Sequence, residues 1–150
     1  MLAHHHTLAV AESVTSGHLQ AALSTSDEAS VFFQGGITAY NINQKYAHLH
    51  IDPTHCIACN SVSRKVAEDM AEQSCKLFNA DWGIGITGYA AAMAQEPHMQ
   101  LYALYCIAFR GRKIKTAAII ASMKDAFQVQ VEYTNTVIHG FAEVLNEVVL

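Results

Sequence analysis

The sequence predicts an α/β domain, a three-layer α/β/α sandwich around a mixed sheet. Short apolar runs of strand length alternate with stretches of helical periodicity, the pattern of strands covered by helices. A hairpin pattern lies late in the chain, where residues 101–109 and 113–121 flank Arg110-Gly111-Arg112. The best helix follows Ser63, with Val66, Met70, Ser74 and Leu77 on one side and Arg64, Lys65, Glu68, Asp69 and Glu72 on the other.

Each element has a local reason. Thr7-Leu8-Ala9-Val10-Ala11 leans to strand and ends in the polar loop 12–17, which feeds a helix over 18–24. Ser24-Thr25-Ser26-Asp27-Glu28 is a polar break. Val31-Phe32-Phe33 and Ile37-Thr38-Ala39-Tyr40 flank Gln34-Gly35-Gly36, so a second strand emerges around a glycine pair. Asn41 caps a short helix toward His48, and Ile51-Asp52-Pro53 ends that segment because proline restricts its neighbour and lacks an N–H. Ser63 caps the long helix and Asn79-Ala80-Asp81 closes it. Trp82-Gly83-Ile84-Gly85-Ile86-Thr87 reads as a buried strand that opens into a loop or short helix over 88–97. From Lys124 an amphipathic helix runs to the end of the chain.

The 150 residues fit a single domain over 1–150, and 51% apolar content supplies a core. Charged residues are 15%, against roughly 25% in an average soluble domain, which points to extra buried surface in a homodimer or higher homo-oligomer. Residues 101–109 and Phe141, Val144, Leu145 and Val148 of the last helix are the expected suppliers of that surface. Nine Lys+Arg against 13 Asp+Glu leave a net charge of −4, which argues against nucleic acid as a partner. No apolar stretch approaches the roughly 20 residues of a bilayer span, so no membrane partner is expected. The four cysteines are too sparse for a disulfide framework, and a reduced, cytoplasmic protein without a cofactor is the expectation.

Chemistry belongs on the loops at strand ends. In the loop 12–17, hydroxyl residues and Gly17 precede a helix, which suits either an anion or oxygen-rich ligand on free backbone N–H groups or simple capping by Thr15 or Ser16. The next loop region holds Ser30, Tyr40 and Lys45. A serine needs a proton acceptor, which a desolvated lysine supplies, and a tyrosine can donate or relay a proton. The ordinary alternative is a capping serine, a packing tyrosine and a solvated lysine. Cys56-Ile57-Ala58-Cys59 has metal-ligand spacing with His48, His50 and His55 upstream, but no second spaced pair follows, so no metal is assigned. His4, His5 and His6 lack a partner motif.

The stretch Leu8-Ala9-Val10-Ala11-Glu12-Ser13-Val14-Thr15-Ser16-Gly17 resembles the Ala-Glu-Ser-x-Thr-Gly-Gly signature of the CinA C-terminal domain family. Three further blocks resemble that family in order: residues 29–45, the helix containing Val62-Ser63, Val66-Ala67 and Met70-Ala71, and Ala80-Asp81-Trp82 through Gly88. The family includes nicotinamide-nucleotide amidases, which convert nicotinamide mononucleotide to nicotinic acid mononucleotide and ammonia. The resemblance implies an amidohydrolase with Ser30 as nucleophile, Lys45 as base and Tyr40 beside them. It also implies a small-molecule amide or nucleotide substrate held by Glu12, Ser13, Thr15, Gly17, Gly35, Gly36, Thr87, Gly88 and Lys124. Departures accompany it. The family's glycine- and proline-containing loop is Tyr89-Ala90-Ala91-Ala92-Met93 here, and its late arginines are replaced by Lys124 and Gln128. The alternative is a non-catalytic relative that keeps the fold for ligand binding or assembly.

Overall fold

The computed structural model describes Met1 and residues 5–147. Its elements are β1 (Leu8–Glu12), α1 (His18–Ser24), α2 (Ala29–Phe32), β2 (Phe33–Thr38), α3 (Ile42–Leu49), α4 (Pro53–Ala58), α5 (Arg64–Phe78), β3 (Trp82–Gly88), β4 (Tyr102–Phe109), β5 (Arg112–Ile120) and α6 (Ala126–Glu147). The strands form one mixed sheet in the order β2-β1-β3-β4-β5. β1 is parallel to both β2 and β3, while β4 and β5 add antiparallel neighbours. This is the α/β architecture that the alternating pattern predicts.

Strand periodicity divides the core between two faces. Leu8, Val10, Trp82, Ile84, Ile86, Tyr105 and Ile107 point to one face, covered by Leu19 and Leu23 of α1 and by Val129, Tyr133, Val137, Phe141 and Val144 of α6. The opposite face carries smaller residues. There Val66 and Met70 of α5 pack with Ala11, Leu49, Ile51 and Cys56, and Ala67, Ala71 and Cys75 pack with Cys106 and Ala108. On β3 the alternation is sharpest, because Gly83 and Gly85 occupy the α5 side. A Cβ on Gly83 would collide with the Ala71 carbonyl oxygen, and one on Gly85 with backbone atoms of Ala67 and Ala71. Helix α5 therefore rests almost directly on strand backbone.

Several boundaries differ from the sequence pattern. Val31 and Phe32 close the short helix α2, and β2 begins only at Phe33. Pairing to β1 slips between Leu8 and Ala9, so Gln34 is the extra residue of a bulge, and Gly35 takes φ +119° there. Pro53 starts α4 instead of only ending a segment: at the first helical position its missing N–H would have had no partner, and Asp52 accepts from Thr54 N.

The expected interface suppliers belong to the core. β4 lies between β3 and β5, and Phe141 and Val144 are buried under the sheet. Most of their apolar surface is used within the chain, while Leu101, Tyr102, Leu104, Phe109 and Leu145 stay partly exposed. Val148 and His4 lie outside the described residues. Among the described residues no helix is long and apolar enough to cross a membrane.

Gly85→Ala should destabilise the fold by about 1–3 kcal/mol, because the added methyl group meets backbone that moves only with all of α5. Urea unfolding of the variant and the parent protein measures it; unchanged stability would mean that α5 is not tightly seated.

Candidate active site

The parallel strands β1, β2 and β3 end at one edge of the sheet, with Glu12 paired to Thr38 and to Ile86. Segments leaving the carboxyl ends of such strands converge on the place where open α/β sheets bind ligands. Ser13 follows β1 directly and its N–H donates to the Ile86 carbonyl at 3.1 Å. A turn closed by Ser16 N to Ser13 O then leads to Gly17, whose φ of +100° redirects the chain into α1. The buried Glu12 carboxylate holds this turn. It accepts from Thr15 Oγ1 at 2.6 Å and from the N–H groups of Gly17, Leu19 and Gln20 at 3.1, 3.0 and 2.8 Å. Glu12 thus caps α1 with Thr15 bracing it, and both are fully buried and outside the cleft lining.

Helix α3 brings in the lysine. Asn41 caps it by accepting from Gln44 N, and Lys45 shares its buried face with Leu49. The Lys45 side chain is 1% exposed, and its Nζ donates to Ser13 Oγ at 2.8 Å and to the Ala39 carbonyl at 2.9 Å. Burial pushes its pKa from 10.5 down to about 8, with the nearby Cys56 thiol opposing the shift. Desolvation penalises the ammonium, so the neutral amine becomes accessible close to physiological pH.

A cleft of about 400 Å³ opens over this pair. Ser13, Val14, Tyr40, Thr87 and Gly88 line it, as do Asn60, Ser61, Tyr89 and Gln130. The sequence reading assigned no site role to the last four, although Tyr89 opens the loop that departs from the family pattern. Asn60 and Ser61 both take left-handed backbone conformations, and Ser61 O accepts from Thr87 Oγ1 at 2.7 Å. Consecutive non-glycine residues of this kind cluster at functional sites. Asparagine's tolerance of that conformation is the one weak signal the sequence carried.

The structure does not bring Ser30 to Lys45. Ser30 is exposed on α2, before the amino end of β2, whereas Tyr40 and Lys45 follow its carboxyl end. The six-residue strand between them spans about 17 Å. The serine that meets the lysine is Ser13. Gly35 and Gly36 also lie outside the cleft lining: Gly35 serves the bulge, and a Cβ on Gly36 would press on Val10 and Gln20. Gly17 donates to Glu12, and Lys124 lines a separate groove with Pro97, His98 and Gln100. Around Cys56-x-x-Cys59, His55 Nε2 bonds Ser63 Oγ at 2.8 Å, Cys59 Sγ donates to His55 O, and burial pushes the Cys56 thiol up. Among the described residues no cluster of three His, Cys, Asp or Glu side chains is arranged to hold a metal.

The family model of the CinA C-terminal domain matches residues 1–145. The chain belongs to that family. A CinA-like protein of Picosynechococcus is 39% identical over 103 residues, 69% of this chain and 24% of that protein. One from Synechocystis is 43% identical over 84 residues, 56% of this chain and 20% of that protein. The CinA-family chain thus spans a quarter or less of these relatives. In fold it is similar to the competence damage-inducible protein A of Klebsiella pneumoniae, with TM-score 0.85 at 23% identity over 97% of this chain and 90% of that one. A CinA superfamily protein from Enterobacter cloacae superposes with TM-score 0.86 at 21% identity, over 95% and 85% of the two chains.

Two stability measurements check this geometry in the CinA-family chain. Glu12→Ala should cost about 2–4 kcal/mol, since it leaves the buried Leu19 N–H and Thr15 hydroxyl, and the half-buried N–H groups of Gly17 and Gln20, without their acceptor; a loss below about 1 kcal/mol would show that the cap is dispensable. For Lys45, the unfolded chain binds more protons than the folded one between about pH 8 and 10.5. Parent stability should therefore rise with pH across that window, by about 2–3 kcal/mol relative to Lys45→Met, which cannot titrate. Urea titrations at pH 7.5 and 10.5 would refute it if the two proteins change in parallel.

Proposed function

We propose that this chain is a serine–lysine amidase acting on a small carboxamide, like the nicotinamide-nucleotide amidases that its sequence resembles. One observation supports the reading above all: the buried Lys45 amine meets Ser13 Oγ at 2.8 Å on the floor of a cleft. Ser13 is the serine of the Ala-Glu-Ser signature, and in this reading it takes the nucleophile's role that the resemblance had suggested for Ser30.

The reaction follows from these two groups. Neutral Lys45 accepts the Ser13 proton as Oγ bonds to the carboxamide carbon, giving a tetrahedral oxyanion. Lys45 then returns that proton to the amide nitrogen, the C–N bond breaks, ammonia leaves, and the acyl group stays on Ser13 as an ester. Water, giving a proton to the same amine, attacks the ester; Lys45 passes that proton to Ser13 Oγ as the C–O bond breaks, and the product acid leaves as its carboxylate after losing its own proton to solvent. The Ala39 carbonyl keeps the amine aimed at Ser13 through both halves. Tyr40 is 68% exposed at the cleft and supplies a phenol beside the departing nitrogen. Glu12 fixes the turn that carries the nucleophile and takes no proton.

Ammonia release should fall at least about a thousandfold in Ser13→Ala and in Lys45→Met, with the double variant little worse, because the two act as one unit. Ser30→Ala should retain parental activity. In the parent, kcat/KM should rise with pH to a plateau above about 8, as Lys45 loses its proton. Loss of activity in Ser30→Ala with retention in Ser13→Ala would overturn the assignment.

A further inference from the structure

We propose that the cleft takes an uncharged, planar aromatic carboxamide and that Tyr89 determines this specificity. The inference rests on the serine–lysine reading for the position of the amide and on the cleft wall for everything else. The lining side chains include one ionisable cation, Lys45, and no carboxylate. Lys45 is already committed to Ser13 Oγ and the Ala39 carbonyl, and it is buried beneath the cleft floor. A phosphate entering here would surrender its water without the charge-assisted donors that offset such a loss. A cationic ligand would find no counter-charge either. Lys124 and His98 line a different groove, separate from the Ser13 cleft.

What the wall does offer is neutral and flat. Val14, Val62, Ala90 and Ala91 give apolar surface, and the rings of Tyr40 and Tyr89 give aromatic surface. About 400 Å³ is at the small end of the roughly 300–1,000 Å³ typical of ligand pockets. Tyr89 is held on every side. Its N–H donates to Tyr102 O at 2.9 Å and its carbonyl accepts from Tyr133 OH at 2.9 Å. Its phenol oxygen accepts from Asn60 Nδ2 at 3.2 Å, and its ring meets Tyr102 edge-on at 5.5 Å. A ring fixed this way costs a ligand little ordering entropy to stack against. The Asn60–Tyr89 pair adds a neutral donor–acceptor edge, suited to a ring heteroatom or a second polar substituent.

The test measures binding and turnover separately. Benzamide, pyridine-3-carboxamide and nicotinamide mononucleotide are titrated by calorimetry into Ser13→Ala, where no turnover interferes, at low and high salt. The neutral amides should bind at least about tenfold more tightly than the phosphorylated one, with little salt dependence. Tyr89→Ala should weaken them roughly three- to tenfold, the size of one lost aromatic contact. Tyr89→Phe, which keeps the ring and packing, should lose only the part owed to the Asn60–Tyr89 edge. Tighter, salt-sensitive binding of the mononucleotide, no binding of the neutral amides, or affinities indifferent to both Tyr89 variants would each overturn the proposal. Selective binding of neutral amides without ammonia release by the parent protein would support this inference while refuting the amidase reading. Ammonia release from the mononucleotide alone would do the reverse.

Discussion

The buried carboxylate of Glu12 is the constraint from which the rest of this site follows. It sits at the carboxyl end of the central parallel strand, and its backbone carbonyl accepts from Ala39 N at 2.8 Å. Its side chain gathers the orphan N–H groups of α1. One residue thus ties the end of β1 to the end of β2 and to the first turn of the next helix. Ser13 lies between these attachments, so its position is set by backbone and by a buried charge. A loop of water-exposed bonds could not hold a side chain so firmly.

A buried amine lies close to this turn. Lys45 is placed by a helix whose own face is apolar, and its amine reaches the interior with two oxygen acceptors to receive it. That environment is polar enough to tolerate the ammonium and dry enough to bring its pKa near 8. The unequal faces of the sheet serve the same end. Gly83 and Gly85 let α5 press close, and the chain entering α5 through Asn60 and Ser61 then reaches the cleft, where Ser61 meets Thr87. Small residues under one helix therefore decide how a cleft wall on the same edge is built.

Much of the fold was legible in residue order. Helix α1 follows its polar loop as expected, although Glu12 and not Thr15 or Ser16 receives its N–H groups, and Asn41 and Ser63 cap α3 and α5 as their side chains predict. The hairpin of β4 and β5 turns at Arg110-Gly111 as expected. The misses are also physical. Pro53 reads as a stop or a start with equal justice, since its missing N–H suits both. Gly35 and Gly36 suggest a ligand loop, yet a bulge and a close approach of Val10 use glycine just as fully.

The sequence by itself determined the α/β class, the caps of α3 and α5 and the family, and it singled out Lys45, because these depend on local periodicity, side-chain chemistry and ordered motifs. Which serine faces that lysine was decided only by tertiary structure. Ser30 is nearer to Lys45 along the chain, and sequence distance favours it. Parallel pairing of β1 and β2 sets Ser13 at the same sheet edge as Ala39 and Lys45 and leaves Ser30 a full strand length away. Likewise, no local signal says that Asn60, Tyr89 and Gln130 share a wall, since they come from a loop, the segment after a strand and a helix. The reason in both cases is that strand order and direction, which single-chain patterning leaves open, choose the ends that meet.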